Sequence, residues 1–247
     1  LADKYGVHIK TIQRRLDSVK IEPTLRTKQQ SVLIADTTYF GRNFWVMVFM
    51  DADSKDVLHH QFVKWESLAL YQKGITVIEQ RNIKISALVC DGKRGLLKSS
   101  SDFPIQMCHF HQVSIVTRYI TRKPRMQATI ELKAIIHLLS KTDKESFEGM
   151  ISQWYSKWQS FLNERRTDTT TGKSRYIHRR LRSAYRSICY NLPWLYTFYD
   201  HPTLQIPNTT NQLEGLFTDL KNKLRNHNGL SRARKEKFIA EFFRNRQ

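Results

Sequence analysis

The sequence predicts an α/β protein: a mixed five-stranded sheet flanked by helices and interrupted by an all-helical insertion. Three observations carry this. Strand and helix signals alternate through residues 31–123. Strand signals then stop across 125–200, where apolar residues recur at helical spacing. A basic helical region returns after residue 202. The expected organisation is one domain split into 31–124 and 202–247, hosting the insertion at 125–201.

The chain opens with two short helical segments. The first ends near Tyr5, and Gly6 supplies the positive φ of a tight turn. The second directs Val7, Ile12 and Leu16 inward and Lys10, Gln13 and Arg14 outward. Small Ala2, turn Gly6 and Ile12 have the spacing of a helix-turn-helix, so residues 1–19 read as a partial DNA-binding segment. An ordinary helical hairpin shares that short pattern. Residues 20–30, with Pro23 and scattered basic residues, read as a linker.

The sheet follows. Ser31–Asp36 and Phe44–Met50 are β-prone runs around a turn at Gly41 and Arg42. Asp51–Lys55 is a hairpin loop leading to a third strand, Asp56–Val63. Ser67–Arg81 has helical spacing, with Leu68, Tyr71, Ile75 and Ile78 on one face. A fourth strand at Lys84–Cys90, a short helix at Lys93–Ser99 and a fifth strand at Pro104–His109 complete the order β-β-β-α-β-α-β. That order implies an antiparallel start and parallel strands after the first crossover.

The insertion reads as helices at Glu131–Leu139, Glu145–Glu164 and Arg175–Cys189, with a loop at Arg165–Ser174. Phe147, Ile151, Trp154, Trp158 and Phe161 form one apolar stripe, which reads as core and not as a base-stacking platform. After a loop at Pro202–Asn208, one helix runs from Thr210 to Arg225 and another follows Gly229.

The chain has 247 residues, a formal net charge of +19 and a pI near 10.0. So large an excess of one sign marks a polyanion partner, with nucleic acid ahead of a membrane surface. There is no apolar run long enough for a membrane helix and no signal-peptide pattern at the start. The chain starts inside a motif without an initiator Met, so a fragment of a longer protein is expected. Three cysteines argue against a disulfide framework and for a reducing compartment.

Three acids stand where a metal-dependent nuclease needs them. Asp36 and Asp91 each close an apolar strand, and Glu214 lies in the opening of a basic helix. Carboxylates so placed can converge on divalent cations that clamp the two reacting oxygens of a phosphodiester. Asp51, Asp53 and Asp56 flank a hairpin turn, where Asp is expected anyway. Cys108 and His111 form a Cys-x-x-His pair, only half of a structural zinc site; Cys90 offers a third ligand and no fourth is evident.

With these motifs in view, the chain resembles the RNase H-like core of DDE transposases. The segment Asp91-Gly92-Lys93-Arg94-Gly95-Leu96, the Cys108-x-x-His111 pair and Asn211-x-x-Glu214 with downstream Lys221 resemble the Mutator-like superfamily and its bacterial insertion-sequence relatives. The resemblance covers roughly residues 31–225. It implies an RNase H-like mixed five-stranded sheet and an Asp36, Asp91, Glu214 site holding two Mg²⁺ or Mn²⁺ ions, with no zinc. It also implies a supporting role for Cys108 and His111 behind that site. The implied partners are double-stranded DNA, as terminal inverted repeats and target, and a second copy of the chain. The implied location is the nucleoid of a prokaryotic cytoplasm, with no membrane partner. A resolvase-like nuclease and a non-catalytic DNA-binding regulator are the rival readings. The role of His109, structural or DNA-facing, stays open.

Candidate DNA contacts are Lys10, Arg14, Asn211, Lys221, Lys223 and Arg225, continued by Arg232, Arg234, Lys235 and Lys237. Arg175, Arg179, Arg182 and Arg186 form a single-sign helical stripe opposite Ile177, Leu181, Ala184 and Ile188. Such a stripe repels itself unless a polyanion neutralises it.

Overall fold

The computed structural model describes residues 2–19, 28–42, 44–93, 95–99 and 102–246. Most of the linker (20–27), Asn43 and Arg94 therefore lie outside the described residues.

The predicted sheet is present. Strands β1 (Gln30–Tyr39), β2 (Trp45–Asp51), β3 (Val57–Val63), β4 (Lys84–Cys90) and β5 (Ile105–Met107) stand in the order β3-β2-β1-β4-β5. β2 runs antiparallel to both neighbours, while β1, β4 and β5 are parallel. Four strands, β1, β3, β4 and β5, thus point their carboxyl ends at one edge. In open α/β sheets that edge is where ligands bind.

Both faces are covered, which explains the near-continuous apolar runs in the sequence. Leu33, Ala35, Met47, Phe49, Leu88 and Cys90 face the helix α2 (Leu68–Glu79) and the helices that follow β5. Ile34, Val46, Val48, Met50 and Val89 face the last two helices, α8 (Asn211–Arg225) and α9 (Arg232–Arg244). The alternation along each strand sends successive residues to opposite cores.

Between the sheet and α8 lie α3 (His109–Ile120), α4 (Gln127–Ile136), α5 (Lys144–Asn163), α6 (Arg179–Leu195) and the short α7 (Thr197–Asp200). Leu132, Phe147, Trp154, Leu181, Ile188 and Leu195 belong to the same buried cluster as one sheet face. Phe147, Ile151 and Trp154 are core, with the Trp154 indole N–H donating to the carbonyl of Ala128 at 2.9 Å, while Trp158 and Phe161 are half-buried against that core. A buried polar network seats the end of α6 on β5. The Gln106 amide donates to the Leu195 carbonyl at 2.8 Å and accepts from the Phe198 N–H at 3.0 Å.

Several expectations are corrected. The insertion is not all-helical: β6 (Arg165–Thr167) and β7 (Ser174–Tyr176) form an antiparallel hairpin where a loop was expected. The Asp168 carboxylate tightens its turn by accepting the N–H groups of Thr170 and Thr171, each at 2.9 Å. Among the described residues 95–99 there is a hydrogen-bonded turn and no helix, so the expected helix at Lys93–Ser99 is corrected to a turn. The fifth strand stops at Met107, and His109 already begins α3. The first 19 residues do form a helical turn and the helix α1 (Ile9–Ser18), joined through Gly6 in the left-handed conformation (φ 59°). Leu16, expected inside, is 61 % exposed, and α1 buries none of its residues.

Candidate metal centre

Asp36 lies within β1, not at its end as the apolar run implied. Its special position comes from its neighbour. β1 pairs with β4 only as far as Ile34 opposite Val89, so two residues further on Asp36 and Asp91 emerge together where that pairing stops. Asp36 still pairs with Val48 of β2 and is only 9 % exposed. Asp91 follows β4 directly. Its carboxylate accepts the Lys93 N–H at 3.0 Å, closing a turn through Gly92. Gly92 has φ 84°, and a Cβ there would lie 2.5 Å from the Met107 Cε. The turn therefore needs glycine for its conformation and for space.

Glu214 reaches the same edge through a clamp between two helix starts. The His109 N–H donates to the Asn208 carbonyl at 2.9 Å. The N–H and hydroxyl of fully buried Thr210 both donate to the Cys108 sulfur, at 3.3 and 3.4 Å. Thr210 precedes α8, so the clamp fixes its first turn, where Glu214 sits. Cys108 thus ties the start of α3 to the start of α8.

His111 stands differently from the supporting role expected of it. It lies on the first turn of α3, and its ligating atom is within 4.8 Å of those of Asp36 and Glu214. It belongs to the cluster and not behind it. Its Nδ1 is buried and has no hydrogen-bond partner. His109, by contrast, is buried, with its Nε2 2.6 Å from the Leu195 carbonyl and its ring against Tyr196 and Phe198. That settles His109 as an interior residue.

A fourth acid completes the edge and was not anticipated. Glu66 immediately precedes Ser67, whose hydroxyl caps α2. Its carboxylate accepts the phenol of buried Tyr71 and lies 3.5 Å from the Lys93 ammonium. Nothing periodic marks Glu66 in the sequence. The only available signal is its place just after a strand that ends at the same edge.

The electrostatics are those of crowded, partly desolvated carboxylates. Burial pushes the Asp36 carboxyl up to about 7, against the pull of His111 and the Thr37 N–H. Burial, and next Glu66, also raise Asp91, again opposed by His111. For His111 burial disfavours the charge, but Cys108 and the two aspartates outweigh it and lift the imidazole to about 9. Burial resists ionisation of the Cys108 thiol, yet hydrogen bonds from His111 and Thr210 draw it below its ordinary value. A cation at this edge would favour the ionised carboxylates that burial and, to a lesser extent, mutual repulsion disfavour. The donor set, carboxylate oxygens with one imidazole nitrogen, is of a kind that divalent cations accept.

The basic candidates divide into committed and uncommitted side chains. Arg182 is committed: its guanidinium donates to the Leu162 carbonyl at 2.9 Å and to Asn163 at 2.7 Å, ending α5, and lies over the Tyr176 ring. Arg175 is not on the helix at all but on β7, so the four-arginine stripe is corrected to Arg179 and Arg186, both exposed on α6. Ile177, placed on the opposite stripe, precedes α6 and is exposed. Arg234 pairs with Asp17 through two bonds of 3.0 and 2.9 Å, and Lys237 reaches the Asp17 carbonyl, so these two hold α1 against α9. Lys221 lies over the Tyr39 ring at 5.2 Å, and Lys223 pairs with Asp219 at 3.0 Å. Lys10, Arg14, Asn211 and Arg225 are exposed. Among the described residues no helix is long and apolar enough to cross a membrane.

Compared with models of known protein families and with curated proteins, the chain matches none.

Proposed function

We propose that this protein is a DDE-type transposase that cuts DNA at mobile-element ends and joins the freed 3′ end to target DNA. The observations that carry the reading are the β1–β4 register that sets Asp91 beside Asp36 and the approach of Glu214 to Asp36, in a cluster whose third member is His111 and not Asp91, on a strongly basic chain. Asp36, Asp91 and Glu214 would hold two Mg²⁺ or Mn²⁺ ions. When bound, such ions activate a hydroxyl nucleophile and offset charge building on the phosphate. The β1 and β4 aspartates are set by the sheet, and the Cys108–Thr210 clamp sets the glutamate. Lys93 brings a positive charge beside Asp91, where a phosphate would approach. Arg179, Arg186 and Arg225 offer exposed charge for duplex backbone. The working form on two DNA ends would be a homodimer.

The test is a plasmid that carries the DNA flanking the coding sequence, incubated with the protein, Mn²⁺ and a supercoiled acceptor. Joined donor–acceptor products are expected, and Asp36→Asn, Asp91→Asn or Glu214→Gln should abolish them while duplex binding persists. Nicking without joining would point to a resolvase-like nuclease. Binding with neither would point to a DNA-binding regulator.

A further inference from the structure

We infer that His111 is itself a metal ligand, forming with Asp36 and Glu214 a mixed nitrogen–oxygen position for a divalent cation. This rests on the reading of the edge as a cation site and goes beyond it, because that reading calls only for carboxylates.

The geometry comes first. Ligands at about 2.0–2.2 Å from one ion lie no more than about 4.4 Å apart. The ligating atoms of Asp36, His111 and Glu214 are all within 4.8 Å of one another, so an adjustment of a few tenths of an ångström brings them onto one centre. The three come from separate elements, β1, α3 and α8. The starts of α3 and α8 are tied together by the His109–Asn208 and Thr210–Cys108 bonds. The imidazole and the glutamate are therefore held as one unit over the aspartate.

The imidazole itself is the second observation. Its Nδ1 is buried without a hydrogen-bond partner. Buried polar atoms in native folds are almost always paired, so this nitrogen has room for a partner, a water or an ion. A neighbouring sulfur on one side and carboxylates on the other give the ring a fixed orientation. Imidazole is a good ligand for Mn²⁺ and later transition metals, whereas Mg²⁺ and Ca²⁺ favour oxygen alone. The site should thus prefer Mn²⁺ to Mg²⁺ by more than an all-carboxylate site would.

The probe is Mn²⁺ alone, added to the metal-free chain without DNA. Pulsed electron paramagnetic resonance should detect nitrogen coupled to the bound Mn²⁺, and the coupling should change when histidine is labelled with ¹⁵N. Asp36→Asn should remove the coupled species, locating it at this edge. His111→Gln should abolish the coupling and weaken Mn²⁺ binding by about tenfold or more, since even outer partners of metal ligands count on that scale. If Mn²⁺ binds without nitrogen coupling, while Asp36→Asn still weakens it, the carboxylate site stands and the ligand role of His111 is overturned. If neither Asp36→Asn nor Glu214→Gln changes Mn²⁺ affinity, the cation site falls and His111 with it. Should His111→Gln fail to fold, the labelled wild-type spectrum with Asp36→Asn decides alone.

Discussion

Replacing Asp36 with Asn removes a charge that the metal-free fold carries against its own stability. Burial lifts this carboxyl from the ordinary 3.8 to about 7. At roughly 1.4 kcal/mol per pH unit, that gap corresponds to about 4 kcal/mol at pH 8. Some of it is shared with Asp91 and His111, so about 2–4 kcal/mol is the working range for the substitution. The sign follows from proton counting. Between about pH 4 and 7 the folded chain holds a proton that the unfolded chain has released, so stability falls as pH rises through this window. Asn is nearly isosteric and its amide oxygen can still accept the Thr37 N–H, now 2.7 Å from Asp36 Oδ1. Thermal unfolding in EDTA at pH 8 should therefore show Asp36→Asn melting higher by about 5–15 °C, at about 2–4 °C per kcal/mol for a chain of this size. The gain should shrink to less than half at pH 5. Saturating Mn²⁺ should then raise the wild type by mass action and leave the variant nearly unmoved. A variant no more stable than wild type at pH 8, or equally stabilised at both pH values, would refute the reasoning.

Arg179→Ala and Arg186→Ala should each flatten the dependence of log affinity on log salt by up to about 0.9 for any duplex, measured by fluorescence anisotropy. Arg182→Ala should leave that slope alone and instead lower stability by about 1–2 kcal/mol in urea unfolding, because it loses the α5 end and the Tyr176 ring. His59 and His60 are both held down to about 4, chiefly by burial, so the stability these two contribute is complete above pH 6.5 and is lost as pH falls from 6.5 toward 4, opposite in sign to the Asp36 effect. His60→Phe, which keeps the ring against Phe62 and Phe243, should reduce the slope of unfolding free energy with pH in that window by up to about 1.4 kcal/mol per pH unit. Gly92→Ala should lower stability by about 2–3 kcal/mol and weaken Mn²⁺ binding, since it strains a positive φ and meets Met107. Unchanged Mn²⁺ affinity in that variant would remove the Gly92 turn from the argument about Asp91.

The sheet was legible because its central strands are buried on both faces, which leaves unbroken apolar runs such as Ser31–Ala35 and Val46–Met50. Asp36 and Asp91 stood out because each interrupts such a run. The helix α3 was not legible, and the reason is chemical. Its buried face is His109, Gln112, Val116 and Ile120, so half of the stripe is polar. Those polar groups are satisfied by partners distant in sequence, the Leu195 carbonyl for His109 and Asn191 for Gln112. The β6–β7 hairpin was hidden for the opposite reason: it is almost wholly exposed, so no alternation of apolar residues marks it. The helix expected at Arg175–Cys189 starts later and runs further, from Arg179 to Leu195, with Pro193 inside it. The arginine stripe was periodic in sequence but not in space. A helix starting at Arg179 excludes Arg175, and local capping uses up Arg182.

The site mixes two kinds of information, and that sets how far any sequence reading reaches. Asp36 and Asp91 are placed by strand register, which a sheet made of adjacent apolar runs nearly dictates. Glu214, and in part Glu66, are placed by contacts between segments far apart in the chain. Glu214 depends on a sulfur that accepts two hydrogen bonds from Thr210, and Glu66 on a buried phenol and the Lys93 ammonium. A short Cys-x-x-His spacing signals that two side chains share one end of a helix. It does not say that the cysteine faces α8 while the histidine faces Asp36. That division arises because Cys108 precedes α3 with an extended backbone, whereas His111 lies on its first turn. The two side chains touch at one helix start, the sulfur also bonded to Thr210 and the imidazole beside Asp36, and the pair joins the element that carries Glu214 to that carboxylate.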